Sequence, residues 1–225
     1  MVYLSRIYTR TGDRGKTALG NGKRVNKDDP RIAAFGAVCE LNSVLGLVLA
    51  SRSRRAYVGI LGSVQNELFD LGADLCLPQK PGEKAGDVLR VKPEQIDHLE
   101  SEIDKINSRL SPLRSFVLPG GQPLAAWIHF ARAICRRAEC QVVALSRREP
   151  VNPQVAIYLN RLSDLLFVMA RDANLGRSDE ILWVPGGERR EAAAPAKKSA
   201  ARRPAHKKAE PRPRVRNRGY SRTRS

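Results

Sequence analysis

The chain has 225 residues, 42% hydrophobic and only 5% aromatic, with four cysteines and a formal net charge of +17. That length suits one ordinary domain plus a tail, and the expectation is no membrane-spanning segment of roughly 20 apolar residues. The charge suggests a nucleic-acid binder, yet residues 188–225 hold 14 Lys or Arg against 3 Glu, an excess of +11 that leaves +6 for all the rest.

Residues 1–28 are polar and rich in Gly and Thr. They contain Tyr8-Thr9-Arg10-Thr11-Gly12-Asp13-Arg14-Gly15-Lys16-Thr17. Glycines let a loop turn its N–H groups inward, while hydroxyls and cations add donors, so the stretch suits an anion. Gly15-Lys16-Thr17 is similar to the end of a Walker A motif, but Arg10 stands where that motif needs glycine, which excludes a P-loop NTPase. A phosphate-binding loop of another kind and an ordinary surface loop both stay open.

Asp29-Pro30 is an N-cap followed by proline and starts a first helix to about Ser51, with Ile32, Phe35, Val38, Leu41, Leu45 and Val48 inward. A second helix, roughly Arg54 to Leu77, buries Val58, Leu61, Val64, Leu68, Leu71 and Leu75. Residues 78–91 contain Pro78, Pro81, Gly82 and Gly86 and read as an exposed loop. A charged third helix runs from near Pro93 to near Leu110. After Pro119-Gly120-Gly121 a long fourth helix carries the apolar stripe Leu124, Ile128, Ala131, Cys135, Ala138, Val142 and Leu145. Asn152-Pro153 starts a fifth, to about Leu175, with Val155, Leu159, Leu162, Leu166 and Met169 inward. No strand alternation of useful length is present. The fold class is all-α, a five-helix bundle over residues 29–186.

On the fourth helix Arg132, Arg136 and Glu139 fall at i, i+4 and i+7 and share one face, with Arg137 further round. Two guanidinium groups one turn apart, with a carboxylate beside them, suit polyphosphate. A solvated face with an i, i+3 salt bridge is the competing interpretation. The cysteines Cys39, Cys76, Cys135 and Cys140 form no C-x-x-C pair and fit reduced thiols. With no apolar leader at Met1, the expected compartment is the cytoplasm. Residues 187–225, rich in Ala, Pro, Lys and Arg, are expected to be disordered, as a solubilising tail or a tether for polyanions.

Three segments together resemble the PduO-type ATP:cob(I)alamin adenosyltransferases. They are Tyr8 to Thr17 with Lys27-Asp28; Phe116-Val117-Leu118-Pro119-Gly120-Gly121 with Ala131-Arg132 through Arg136-Arg137-Ala138-Glu139; and Leu159-Asn160-Arg161-Leu162-Ser163-Asp164. The resemblance spans about residues 6–175. It implies a five-helix bundle that assembles as a homotrimer with active sites between subunits. It also implies transfer of the 5′-deoxyadenosyl group of ATP to the cobalt of cob(I)alamin, with release of triphosphate.

The corrinoid is itself the nucleophile, so no Ser-His or Cys-His pair is required. The resemblance assigns Thr9, Arg10, Thr11, Gly12, Asp13, Gly15, Lys16, Thr17 and Lys27 to ATP, with Mg²⁺ expected to accompany it and no metal ligands named. It assigns Arg132, Arg136, Arg137 and Glu139 to the catalytic face, Asn160 to the nucleotide, and Phe116 to the corrin, where it keeps the lower axial ligand off cobalt.

Two positions depart from the pattern. Val38-Cys39-Glu40-Leu41-Asn42 has Cys39 where the family has an aspartate that pairs with an arginine across the subunit boundary, and Cys140 stands where arginine is common. Arg132 is then expected to turn to water, Glu139 or the ATP phosphates. Two rival readings are a non-catalytic cobalamin carrier of the same fold and a helical nucleic-acid-binding protein that uses the basic tail. An adenosylcobalamin-dependent acceptor enzyme is a further expected partner.

Overall fold

The structure is a computed structural model, and it describes residues 7–51, 55–176 and 180–184. Five helices account for most of it: α1 (Pro30–Ala50), α2 (Arg55–Cys76), α3 (Pro93–Asn107), α4 (Pro123–Ser146) and α5 (Pro153–Asn174). The expected tail, residues 187–225, lies outside the described residues.

The helix starts follow from local chemistry. Asp29 accepts from Arg31 N at 2.8 Å and Asn152 accepts from Gln154 N at 3.1 Å, each satisfying a backbone donor the first turn leaves free. Pro30 and Pro153 follow at positions where a missing N–H is harmless.

In the packing, α4 touches both α1 and α5, α2 covers α1, and α3 covers α5. The core between them is aliphatic. Leu41, Leu45, Leu61, Leu71, Ile128, Leu159, Leu162 and Leu166 are fully buried, each contributing roughly 1.5–3 kcal/mol. The expected inward stripes on α4 and α5 are buried almost throughout, although Leu124 is only partly so. On α1, Ile32 and Phe35 lie at the rim, and Ala34 and Ala37 take the interior. On α2, Val58 is exposed and Tyr57 is buried in its place, its hydroxyl bonded to Asp172 and to Met169 O of α5. The phenol supplies the polar contact that valine lacks.

Two expectations need correction. α1 carries an 18-residue window of mean hydropathy 1.9, so by length and composition it does reach what crosses a bilayer. Val38, Leu41, Leu45 and Val48 are buried within the bundle, while Cys39, Glu40, Ser43 and Leu47 are exposed, so α1 packs on the core by one face. The N-terminal region also contains strands: β1 (Lys16–Ala18) and β2 (Arg24–Asn26) form an antiparallel ribbon with Thr17 opposite Val25. Three residues per strand are too few to show alternation, but Asn21-Gly22 between them is a hairpin signal.

Polar clamps fix the ends of the bundle. Buried Arg31 donates to Leu75 O at 2.6 Å and pairs with Glu149 at 3.0 Å, tying the start of α1 to α2 and to the α4–α5 turn. The loop at 78–91 is pinned. Arg90 donates to Asp74 Oδ1 and Glu83 Oε1, each at 2.8 Å, and Asp74 Oδ2 accepts from Val91 N and Asn152 Nδ2. Hydrogen bonding to Arg90 holds the Glu83 carboxyl below its ordinary range.

Candidate active site

The α4 face forms largely as its spacing implies. Arg136, Glu139, Cys140, Val143, Ala144 and Arg147 line a shallow depression of about 320 Å³. Glu139 does not pair with either arginine among the described residues. It accepts from Asn160 Nδ2 of α5 at 3.0 Å, and Asn160 Oδ1 accepts from Arg161 at 2.8 Å. Arg161 in turn donates to Glu100 of α3 at 2.6 Å. The competing i, i+3 salt bridge is therefore absent among these residues, and exposed Arg136 keeps its donors available. Asn160 retains one N–H and one lone pair for a further partner.

Arg132 is half-buried. Its guanidinium lies 5.0 Å from the centroid of the Phe167 ring, and its Nε is buried with no hydrogen-bond partner among the described residues. Burial first, and Arg136 second, push its pKa below the ordinary arginine value, with Asp164 opposing. A buried donor without an acceptor is a place an anionic oxygen would satisfy. Arg137 behaves differently: it forms an exposed ion pair with Glu40 of α1, away from the depression.

Before α4, Gly121 has φ 94°, and an added Cβ there would collide with the side chain of Asn174. Asn174 accepts from Gln122 N at 2.9 Å and donates to Gly120 O at 3.2 Å, so the Pro-Gly-Gly turn is locked onto the end of α5. That turn sets Phe116 out toward solvent, 76% exposed. Phe116 O accepts from Trp183 N at 2.7 Å, and the two rings lie 6.0 Å apart. Trp183 was not among the expected site residues; the short apolar run Ile181-Leu182-Trp183-Val184 after the last helix was its signal. An exposed aromatic pair is a surface suited to a flat apolar ligand.

The N-terminal loop is compact. Thr9 and Thr11 hydroxyls lie 2.9 Å apart, Arg24 donates to Thr11 O at 2.6 Å, and Lys27 N donates to Gly15 O at 2.9 Å. The Lys27 ammonium sits against Gly12, where a side chain would press on it. Arg10 has φ 59° and its cation lies over the Tyr8 ring. Asp13 and Lys16 are exposed, as is Gly15, which has φ 73°. Gly20 N donates to Cys76 O at 3.0 Å, fastening the ribbon to the end of α2.

Within one chain the loop and the arginine face stand apart: among the described residues no hydrogen bond or ion pair joins residues 7–27 to α4. The loop leads into α1 beside Glu149, whereas Arg136 lies about 15 Å back along α4 from Ser146 at 1.5 Å per residue. Cys39 lines a different feature, a groove of about 340 Å³ between α1 and α2 with Phe35, Val38, Leu68 and Phe69. Burial, and then Cys76, raise its thiol pKa.

Comparisons with known proteins agree with one another. The cobalamin adenosyltransferase profile matches residues 7–173. A corrinoid adenosyltransferase from Mycobacterium leprae is 44% identical over 191 residues, covering 83% of this chain and 99% of the relative. One from Mycobacterium tuberculosis is 45% identical, covering 84% and 97%. Among solved structures, a variant PduO-type ATP:corrinoid adenosyltransferase from Lactobacillus reuteri, complexed with cobalamin and ATP, aligns with TM-score 0.73 at 38% identity, covering 79% of this chain and 99% of that one. A second variant of that enzyme, complexed with ATP, aligns with TM-score 0.71 at 39% identity, covering 80% of this chain and 100% of that one. With α1 to α4, all but the last residue of α5, the described loop and the arginine face inside the matched span, this chain belongs to the cobalamin adenosyltransferase family.

Proposed function

We propose that this protein transfers the 5′-deoxyadenosyl group of ATP to the cobalt of cob(I)alamin, giving adenosylcobalamin and triphosphate. The observation that carries this reading is the pair of uncommitted guanidinium groups, Arg132 and Arg136, on a face bordered by Asn160 and Glu139. The reduced cobalt supplies the electron pair that forms the bond to C5′. The C5′–O bond breaks, and its electrons leave with the triphosphate. The protein has two tasks: to hold C5′ in line with cobalt and to stabilise charge growing on the leaving oxygens.

The roles divide by chemistry. Arg132 and Arg136 hold the triphosphate, Glu139 and Asn160 position that face, and Arg137 braces α4 against α1 through Glu40. Thr9 to Asp13, Gly15, Lys16, Thr17 and Lys27 bind the nucleotide. Phe116, with Trp183 beside it, packs on the corrin. Among the described residues no cluster of three or more His, Cys, Asp or Glu could hold a metal. Mg²⁺ would come with ATP, bound to phosphate oxygens and water, with Thr9, Thr11 and Asp13 of the loop as candidate protein oxygens. Its charge would offset that of the phosphates.

We further assign the active form as a homotrimer whose sites combine the loop of one subunit with the α4 face of its neighbour. The separation of these two parts within one chain supports it, as do exposed Phe69, Val58 and Leu47 on α1 and α2. In this division residues 1–28 form the nucleotide loop, 29–186 the bundle and 187–225 a basic tail. The four cysteines are free thiols, which supports a reducing, cytoplasmic setting.

Subunit complementation tests the shared site. Lys27→Ala and Arg136→Ala chains are each expected to be weak alone. Co-expressed, they recover a substantial part of the activity, because some sites pair an intact loop with an intact arginine face. No recovery in mixed trimers would place the site within one subunit.

A further inference from the structure

Among the described residues Arg132 is held without a carboxylate. Its guanidinium carbon lies 5.0 Å from the centroid of the Phe167 ring on α5, and among the described residues its Nε is buried without a partner and it forms no ion pair. Phe167 is steadied from a second direction by His129, whose ring meets it edge-on with centroids 6.5 Å apart. His129 is buried and precedes Arg132 by three residues, so one face of α4 presents both groups to the same aromatic ring.

We propose that Phe167 is a positioning residue, which holds the Arg132 cation by its ring face so that the guanidinium donors stay free for triphosphate oxygens. The proposal rests on the reading of Arg132 as part of the adenosyl-transfer site. A carboxylate partner would engage two N–H donors in a bidentate pair. An aromatic face attracts the charge while offering no acceptor atom, so it restrains the group and leaves most donors uncommitted. An aliphatic side chain of similar volume would fill the same space without that attraction. The half-buried setting of Arg132, with Arg136 one turn away, makes such compensation valuable.

A double-mutant cycle tests it. Phe167→Leu keeps apolar volume and removes the ring, whereas Phe167→Tyr keeps the ring. Each is made with Arg132 present and with Arg132→Ala, and kcat/KM for ATP is measured. ATP affinity by titration calorimetry is measured alongside, so that a variant without turnover still reports. Phe167→Leu is expected to lose roughly 2- to 30-fold, the range a cation–π contact implies. Phe167→Tyr should stay near wild type, and Phe167→Leu should add no further loss once Arg132 is alanine. Equal losses in both backgrounds would overturn the positioning role and leave Phe167 as packing. An Arg132→Ala variant with full activity and ATP affinity would overturn the underlying site reading instead. If melting shows that Phe167→Leu does not fold, Phe167→Met carries the same cycle.

Discussion

Asn160 donates to Glu139 at 3.0 Å, joining α5 to α4 one turn from Arg136. This bond decides which group on that face is free. The Glu139 carboxylate accepts from a neutral amide and, among the described residues, forms no ion pair with the arginine one turn before it.

Arg136→Ala is therefore expected to lose activity with the fold intact. Loss of a hydrogen bond to a charged group weakens the transition state by roughly 1.5–3 kcal/mol, which is about 10- to 150-fold in rate if the contact acts only there. Steady-state turnover and far-ultraviolet circular dichroism check it. Activity close to wild type with an unchanged helical signal would remove Arg136 from the site.

Phe116→Ala should slow the reaction more when cobalamin is supplied as Co(II) with a reductant than when supplied as Co(I). In the proposed role, a ring that excludes the lower axial ligand would act before the transfer step, by easing reduction. Parallel assays from the two oxidation states check it. Equal losses would assign Phe116 to packing with Trp183 alone.

His129 makes the fold sensitive to acid. Burial, and then Arg132, push its pKa below the ordinary value of 6.5, with Glu180 opposing. The folded state thus binds fewer protons than the unfolded chain in that range. The stability this depression contributes is present above about pH 6.5 and is lost as pH falls through the lower folded value. Melting temperatures from neutral pH to about pH 5 should fall more steeply for wild type than for His129→Gln. Identical slopes would show that His129 titrates alike in both states.

The bundle was legible because its signals are local and repeated. Asp29-Pro30 and Asn152-Pro153 cap two helices where expected, and the α4 and α5 stripes reach the core with Ile128, Ala138, Leu159 and Met169. The motifs named a family that the comparisons bear out. What was not legible depends on contacts far apart in the chain. Nothing near Arg132 announces Phe167, 35 residues on, as its neighbour, and Tyr57 earns its buried place through a bond to Asp172. The Arg31–Glu149 clamp spans 118 residues and leaves no periodic trace. Arg137 and Glu40 likewise meet only after α4 packs on α1.

The most direct test mixes the purified protein with ATP and chemically reduced cobalamin and follows the visible spectrum. Conversion to the spectrum of adenosylcobalamin, with stoichiometric release of triphosphate and much slower conversion by Arg136→Ala, is the expected result. A cob(I)alamin spectrum that persists with ATP present, in a protein that still binds both substrates, would contradict the account and favour a carrier.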